Sequence, residues 1–237
     1  MIDSDPIIWM LADSALPTGG FVASAALEVA VQTKHITNNA SLMEFLTSNI
    51  KTYGHSAGII MVSAFDAITT TVDEDLTLSQ LVKIDSFYDA CTTNHIAKRA
   101  SKTQGSAYLT LLSKSFEGRR LGLDVFTKYK NYVRIGKTSG HLPVCFALAC
   151  KELSLSSDKA LHLFLFLHAR SMVSAAVRLN QIGPYQGQSI LFDLQPHVQQ
   201  TCKQVENKTL DDVHNSAPLI DILQGMHDNL YSRLFNS

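Results

Sequence analysis

Charge is scarce in this chain of 237 residues. Asp, Glu, Lys and Arg together make up 17% of it, against about 25% in an ordinary globular chain. Such a chain has few groups with which to solvate its whole surface, which predicts that part of its apolar surface is covered by a partner or a second copy. The net charge of −1 gives no electrostatic pull towards nucleic acid or anionic lipid. The four cysteines, Cys91, Cys145, Cys150 and Cys202, include no C-x-x-C pair. The acidic start Met1-Ile-Asp-Ser-Asp5 has no basic n-region, so no secretory signal peptide is expected, and reduced thiols in a soluble cytoplasmic protein follow. The longest apolar run, 142–150, is far short of the roughly 20 residues of a membrane helix. Neither G-x-S-x-G nor H-E-x-x-H occurs, and no nucleophile, base and oxyanion donor assemble from the sequence.

What is present is helical periodicity. Ser41-Leu-Met-Glu44 reads as a capping box, followed by a face of Leu42, Phe45, Leu46, Asn49, Ile50 and Tyr53. Thr77-Leu-Ser-Gln80 repeats the signal before Leu81, Ile84 and Tyr88, which leaves Asp73-Glu-Asp75 as a solvated loop. Ser156, Ser157 and Asp158 offer N-caps to a long helix striped by Leu161, Phe164, Leu165, His168, Met172, Ala175, Ala176 and Leu179. Turn signals fall at Pro17-Thr-Gly-Gly20, at Gly136-Lys-Thr-Ser-Gly140 and at Gly183-Pro184. The expected fold is all-α: a single-domain multi-helix bundle over 1–200, a polar connector over 201–217, and an amphipathic tail over 218–237. Leu219, Ile222, Leu223, Met226, Leu230 and Leu234 form the tail's apolar face.

Candidate chemistry is thin. Gly136-Lys137-Thr138 resembles the end of a phosphate-binding loop, but the glycine required five positions earlier is Asn131. Cys91 with His95, and His141 with Cys145, have i, i+4 spacing, so each pair shares a helix face. A structural metal site needs four ligands and each pair supplies two. A metal-dependent helical enzyme built on both pairs is one alternative and a generic helical adaptor another; buried cysteines beside hydrogen-bonded histidines are the simpler reading of the pairs. His162 and His168 lie on a long apolar helix and read as hydrogen-bonded core histidines.

Four blocks, in order, carry a resemblance. They are Trp9-Met-Leu-Ala-Asp-Ser-Ala-Leu-Pro-Thr-Gly-Gly-Phe21 with Ala26-Leu27-Glu28; Arg99-Ala-Ser-Lys-Thr-Gln-Gly105; His141-Leu-Pro-Val-Cys-Phe-Ala147 with Ser174-Ala-Ala-Val-Arg178 and Gly187-Gln188; and His227-Asp-Asn-Leu-Tyr-Ser-Arg-Leu-Phe235. Together they resemble the urease accessory protein F family, in wording closer to its eukaryotic members. Ala26 stands where the family commonly has glycine, and Asn180-Gln-Ile-Gly-Pro184 replaces its usual Ile-Pro-Leu-Gly.

The resemblance implies a nickel-insertion chaperone rather than an enzyme: a homodimer bridging an accessory GTPase (the G type), a second accessory protein (the D or H type) and apo-urease. No tightly bound cofactor or metal is implied, since the complex handles nickel as cargo. Partner contacts are expected at Leu16, Pro17, Gly19, Gly20, Phe21 and Glu28, at Arg178 and Gln188, and along the tail at Ile222, Met226, Leu230, Tyr231, Arg233, Leu234 and Phe235. The tail is expected to order in a partner's groove or to pack back on its own core.

Overall fold

The computed structural model describes all residues except 1–3, 72, 119–121 and 237, together with all described side chains except those of Ser4, Asp5 and Phe21. Twelve α-helices and no strand occur among the described residues: α1 (Ser4–Leu11), α2 (Leu27–Gln32), α3 (Asn39–Tyr53), α4 (Ile59–Thr70), α5 (Glu74–Cys91), α6 (His95–Ser115), α7 (Asp124–Arg134), α8 (Leu142–Glu152), α9 (Ser157–Arg178), α10 (Pro184–Asp193), α11 (Gln195–Val205) and α12 (Pro218–Gly225). The all-α expectation holds.

The centre is α8. Its sequence is apolar on every side, and such a helix is stable only when neighbours cover it all round. Residues from Pro143 to Cys150 are all buried, with α4 and α6 packed against them. Buried carboxylates hold both ends. The Asp85 carboxylate accepts from the Thr138 hydroxyl at 2.6 Å and from the Gly140 and His141 N–H groups at 2.9 and 2.8 Å. Glu152, at the far end, accepts from the Gly122 and Leu123 N–H groups at 2.8 and 2.9 Å. Gly105 lets α6 approach the start of α8 closely, because a Cβ there would overlap the Gly140 carbonyl. The 136–140 loop is therefore committed internally: a built-in carboxylate takes the N–H groups that a phosphate loop would offer.

The second layer is built on α9, whose expected stripe faces α2, α3, α10 and α11. By length and composition α9 could cross a membrane. In this fold Leu161, Phe164, Leu165, Met172, Ala175 and Ala176 are instead buried against protein.

Several boundaries differ from the periodicity reading. Helix α3 starts two residues before Ser41, because Asn38 is the cap. The Asn38 side chain accepts from the Ser41 N–H at 2.9 Å, and the Ser41 hydroxyl accepts in return from the Asn38 N–H at 3.2 Å. Asp73-Glu-Asp75 is no loop: Asp73 caps α5 by accepting from the Asp75 and Leu76 N–H groups, and Thr77 is buried in the first turn. A short acidic stretch suits a helix N-terminus, where the macrodipole is positive. The polar segment 201–217 begins as the last turn of α11, with Thr201 and Val205 buried. The tail does not continue as one helix. It turns at Gly225, makes a 3₁₀ turn over His227–Asn229 and leaves Leu230 extended. Leu230 and Leu234 therefore do not extend the face of α12.

Candidate functional site

The expected contact residues converge where the tail lies against the body. Glu28, on α2, is 1% exposed. An acid so buried needs partners, and the tail backbone supplies them: the Leu234 and Phe235 N–H groups donate to its two carboxylate oxygens at 2.6 and 3.2 Å. Buried His227 places Nε2 3.4 Å from the same carboxylate. Arg178, on the last turn of α9, lies with its guanidinium 4.3 Å from the centre of the buried Phe235 ring, a cation–π contact. One residue further, the Asn236 N–H donates to the Val22 carbonyl at 2.9 Å. The Pro17–Val22 corner is thus tied to the end of the tail.

Asp228 forms the outer clasp. Arg99 meets it through both guanidinium nitrogens at 3.2 and 3.0 Å, Arg233 approaches at 2.9 Å and His95 Nε2 at 3.2 Å. The Arg99 pairing, with help from His95 and Arg233, lowers the Asp228 pKa to about 2. Further back, the Asn94 side chain donates to the Asp221 carbonyl at 2.7 Å while its Oδ1 caps α6. The motif blocks include Arg99, His227 and Asp228 without giving them a role, and leave out Asn94. The one local signal was Asn94 immediately before a helical run.

Docking leaves the tail two-faced. Leu223 and Phe235 are buried and Leu230 is partly so, whereas Ile222 is 62% exposed and Leu219, Met226, Tyr231 and Leu234 are exposed as well. Leu219, Ile222 and Met226 recur at i, i+3 and i+7, one side of α12. Pro17 is exposed, and Gly19 holds a left-handed φ of 74° that favours glycine. The Phe21 side chain lies outside the described residues. Leu16 and Gln188 line a cleft of about 770 Å³ bounded also by Tyr53, Gln104, His168 and Arg170. Ile220, Asp221 and Gln224 of the tail line the same cleft, so Gln188 and the tail share it. The His168 Nε2 meets the Asn49 side-chain oxygen at 2.8 Å, and its ring stacks on Tyr53 with centres 3.8 Å apart. Burial lowers its pKa to about 3.

The two cysteine–histidine pairs do not form a centre. His141 has both ring nitrogens engaged, Nδ1 with Ser101 at 3.1 Å and Nε2 with Asp89 at 2.9 Å. Cys145 is fully buried, which pushes its thiol pKa well up. His95 is turned to Asp228. No cluster of three or more His, Cys, Asp or Glu side chains suited to a metal occurs among the described residues.

The family model of UreF matches residues 36–195. The chain belongs to the UreF family. Its eukaryotic relatives include urease accessory protein F of Arabidopsis thaliana, 32% identical over 97% of this chain and 91% of the relative. A urease accessory protein UreF-like sequence of Schizosaccharomyces pombe is 30% identical over 96% and 95%. UreF of Corynebacterium glutamicum is 25% identical over 100% and 99%. Membership of the UreF family ties this chain to urease maturation, and the eukaryotic-like wording of its motifs agrees with its plant and fungal relatives.

Proposed function

We propose that this UreF-family protein is a non-catalytic scaffold. It bridges an accessory GTPase, a second accessory protein of the D or H type and apo-urease while nickel is inserted, and it acts as a cytoplasmic homodimer without a tightly bound cofactor. The observation that carries this reading is the docked but two-faced tail. One side is anchored by Glu28, Asn94, Arg99 and Arg178, and the other offers Leu219, Ile222, Met226, Tyr231 and Leu234 to solvent. An apolar helix face of this spacing fits a groove on a partner, with the exposed side chains as anchors. Arg178 and the Pro17–Val22 corner support the tail end, so a partner that grips the tail also senses the α2–α9 body. The test is deletion of residues 218–237 in a strain dependent on this protein. Urease activation and co-purification with the second accessory protein should be lost, while the remaining chain keeps its helical circular dichroism. Retained activation sinks the reading.

A further inference from the structure

Two histidines outside every motif block stand together on the surface. His55 lies in the π-helical turn Gly54–Gly58 between α3 and α4, and His214 lies in the strap between α11 and α12. Their backbones are joined, the His214 N–H donating to the His55 carbonyl at 3.2 Å. Their rings are 4.8 Å apart, centre to centre, and inclined by 53°.

Each ring is oriented by a carbonyl. His55 Nδ1 is 2.9 Å from the Lys51 oxygen, and His214 Nδ1 is 2.8 Å from the Asp212 oxygen. A carbonyl oxygen only accepts, so each Nδ1 carries the proton and each neutral ring presents an Nε2 lone pair. A carbonyl partner on one nitrogen is what fixes the tautomer of metal-ligating imidazoles and raises the basicity of the other nitrogen. The spacing agrees. A metal–nitrogen bond of about 2.0–2.1 Å sets an ion roughly 3.2 Å from each ring centre, so two rings 4.8 Å apart that both turn Nε2 to one ion would give a ligand–metal–ligand angle of about 97°. That value lies between octahedral and tetrahedral. No third His, Cys, Asp or Glu completes the set among the described residues. The remaining coordination positions therefore fall to water or to a donor from another chain.

We propose that His55 and His214 form a surface site for one divalent late first-row transition-metal ion of the nickel, copper or zinc class. Imidazole nitrogen is the donor these ions prefer. Occupancy staples the strap that precedes the tail to the body of the bundle. This proposal rests on imidazole geometry and stands independently of the scaffold reading.

Equilibrium dialysis of the full chain against NiCl2, and separately against ZnCl2, at neutral pH should give one ion per chain. His55→Ala and His214→Ala should each weaken binding at least tenfold. His162→Ala, an exposed histidine on α9, should leave it unchanged. Hydrogen–deuterium exchange over 206–217 should slow on adding the ion to the wild type and not to either pair variant. Should His55→Ala destabilise the turn, the exposed His214 provides the second variant, with circular dichroism reporting the fold. Absence of stoichiometric binding, unchanged affinity in both pair variants, or equal loss in His162→Ala overturns the site. Binding at the pair without slowed exchange overturns the staple.

Discussion

Adjacent residues of one type do different work in this chain. Gly19 has a φ of 74°, whereas Gly20 stays out of the left-handed region, and a Cβ on either would meet only Gln104 at ordinary contact distance. Strain for an L-residue in that region is about 1–2 kcal/mol. Gly19→Ala should therefore lower unfolding stability by about that amount, and Gly20→Ala by less than about 0.5 kcal/mol, as read from paired urea melts. The same logic touches Ala26, a buried residue with φ 72°. There the chain carries that strain on an L-residue. His168 brings a pH dependence. Its folded pKa of about 3 lies below the unfolded value of about 6.5, so between the two the unfolded chain binds the extra proton. Stability from this group is full above the unfolded value and is lost as pH falls. The slope approaches about 1.4 kcal/mol per pH unit below pH 6. His168→Gln should flatten that loss relative to the wild type in melts at pH 7, 6 and 5, and parallel curves would refute the assignment.

At the scale of elements, the tail separates anchoring from presentation. Ile222 on α12 and Met226 at its C-cap are exposed, while Leu223 is 2% exposed. Ile222→Asp with Met226→Asp should abolish co-purification with the second accessory protein and leave the melting temperature within about 2 °C, since exposed changes cost little. Leu223→Ala removes buried methyl groups and should cost about 2–4 kcal/mol, most of it as local undocking of the tail. Exposure of the tail to limited proteolysis distinguishes the two variants. Elements with a strong period were legible in the sequence: the stripes of α3, α5 and α9 are mostly buried, with Phe45, Tyr53, His168 and Leu179 partly so. Caps were less legible, because Asn38 and Asp73 act through only one or two hydrogen bonds, and neighbouring Ser or Thr residues give the same local signal. The end of the tail was misread for a related reason: apolar spacing alone does not register a stop at Gly225.

For the whole molecule, the low charge fraction and the exposed Tyr185 and Phe192 on α10 agree with a surface that a second copy covers. Sedimentation equilibrium at micromolar concentration should give twice the chain mass of 26.1 kDa. A monomer under those conditions would contradict the homodimer in the proposed function. The gathering of Glu28, Arg178 and Phe235 into one clasp belongs to this scale too. Glu28 and Phe235 are separated by 207 positions, and no local pattern reports a contact that far apart.

The amino-acid sequence alone determined that this is an all-helical chain of the UreF type. Helical period, capping chemistry and motif order are local properties, and they survive without knowledge of the packing. Only the tertiary structure decided which polar groups act together. A buried carboxylate such as Glu28 or Asp85 takes whichever N–H groups the fold brings to it, because an unpaired buried charge costs more than any local preference can offset. For that reason the 136–140 loop became an internal anchor of α8 rather than a phosphate site, and the last residues of the chain became a strap latched to its second helix.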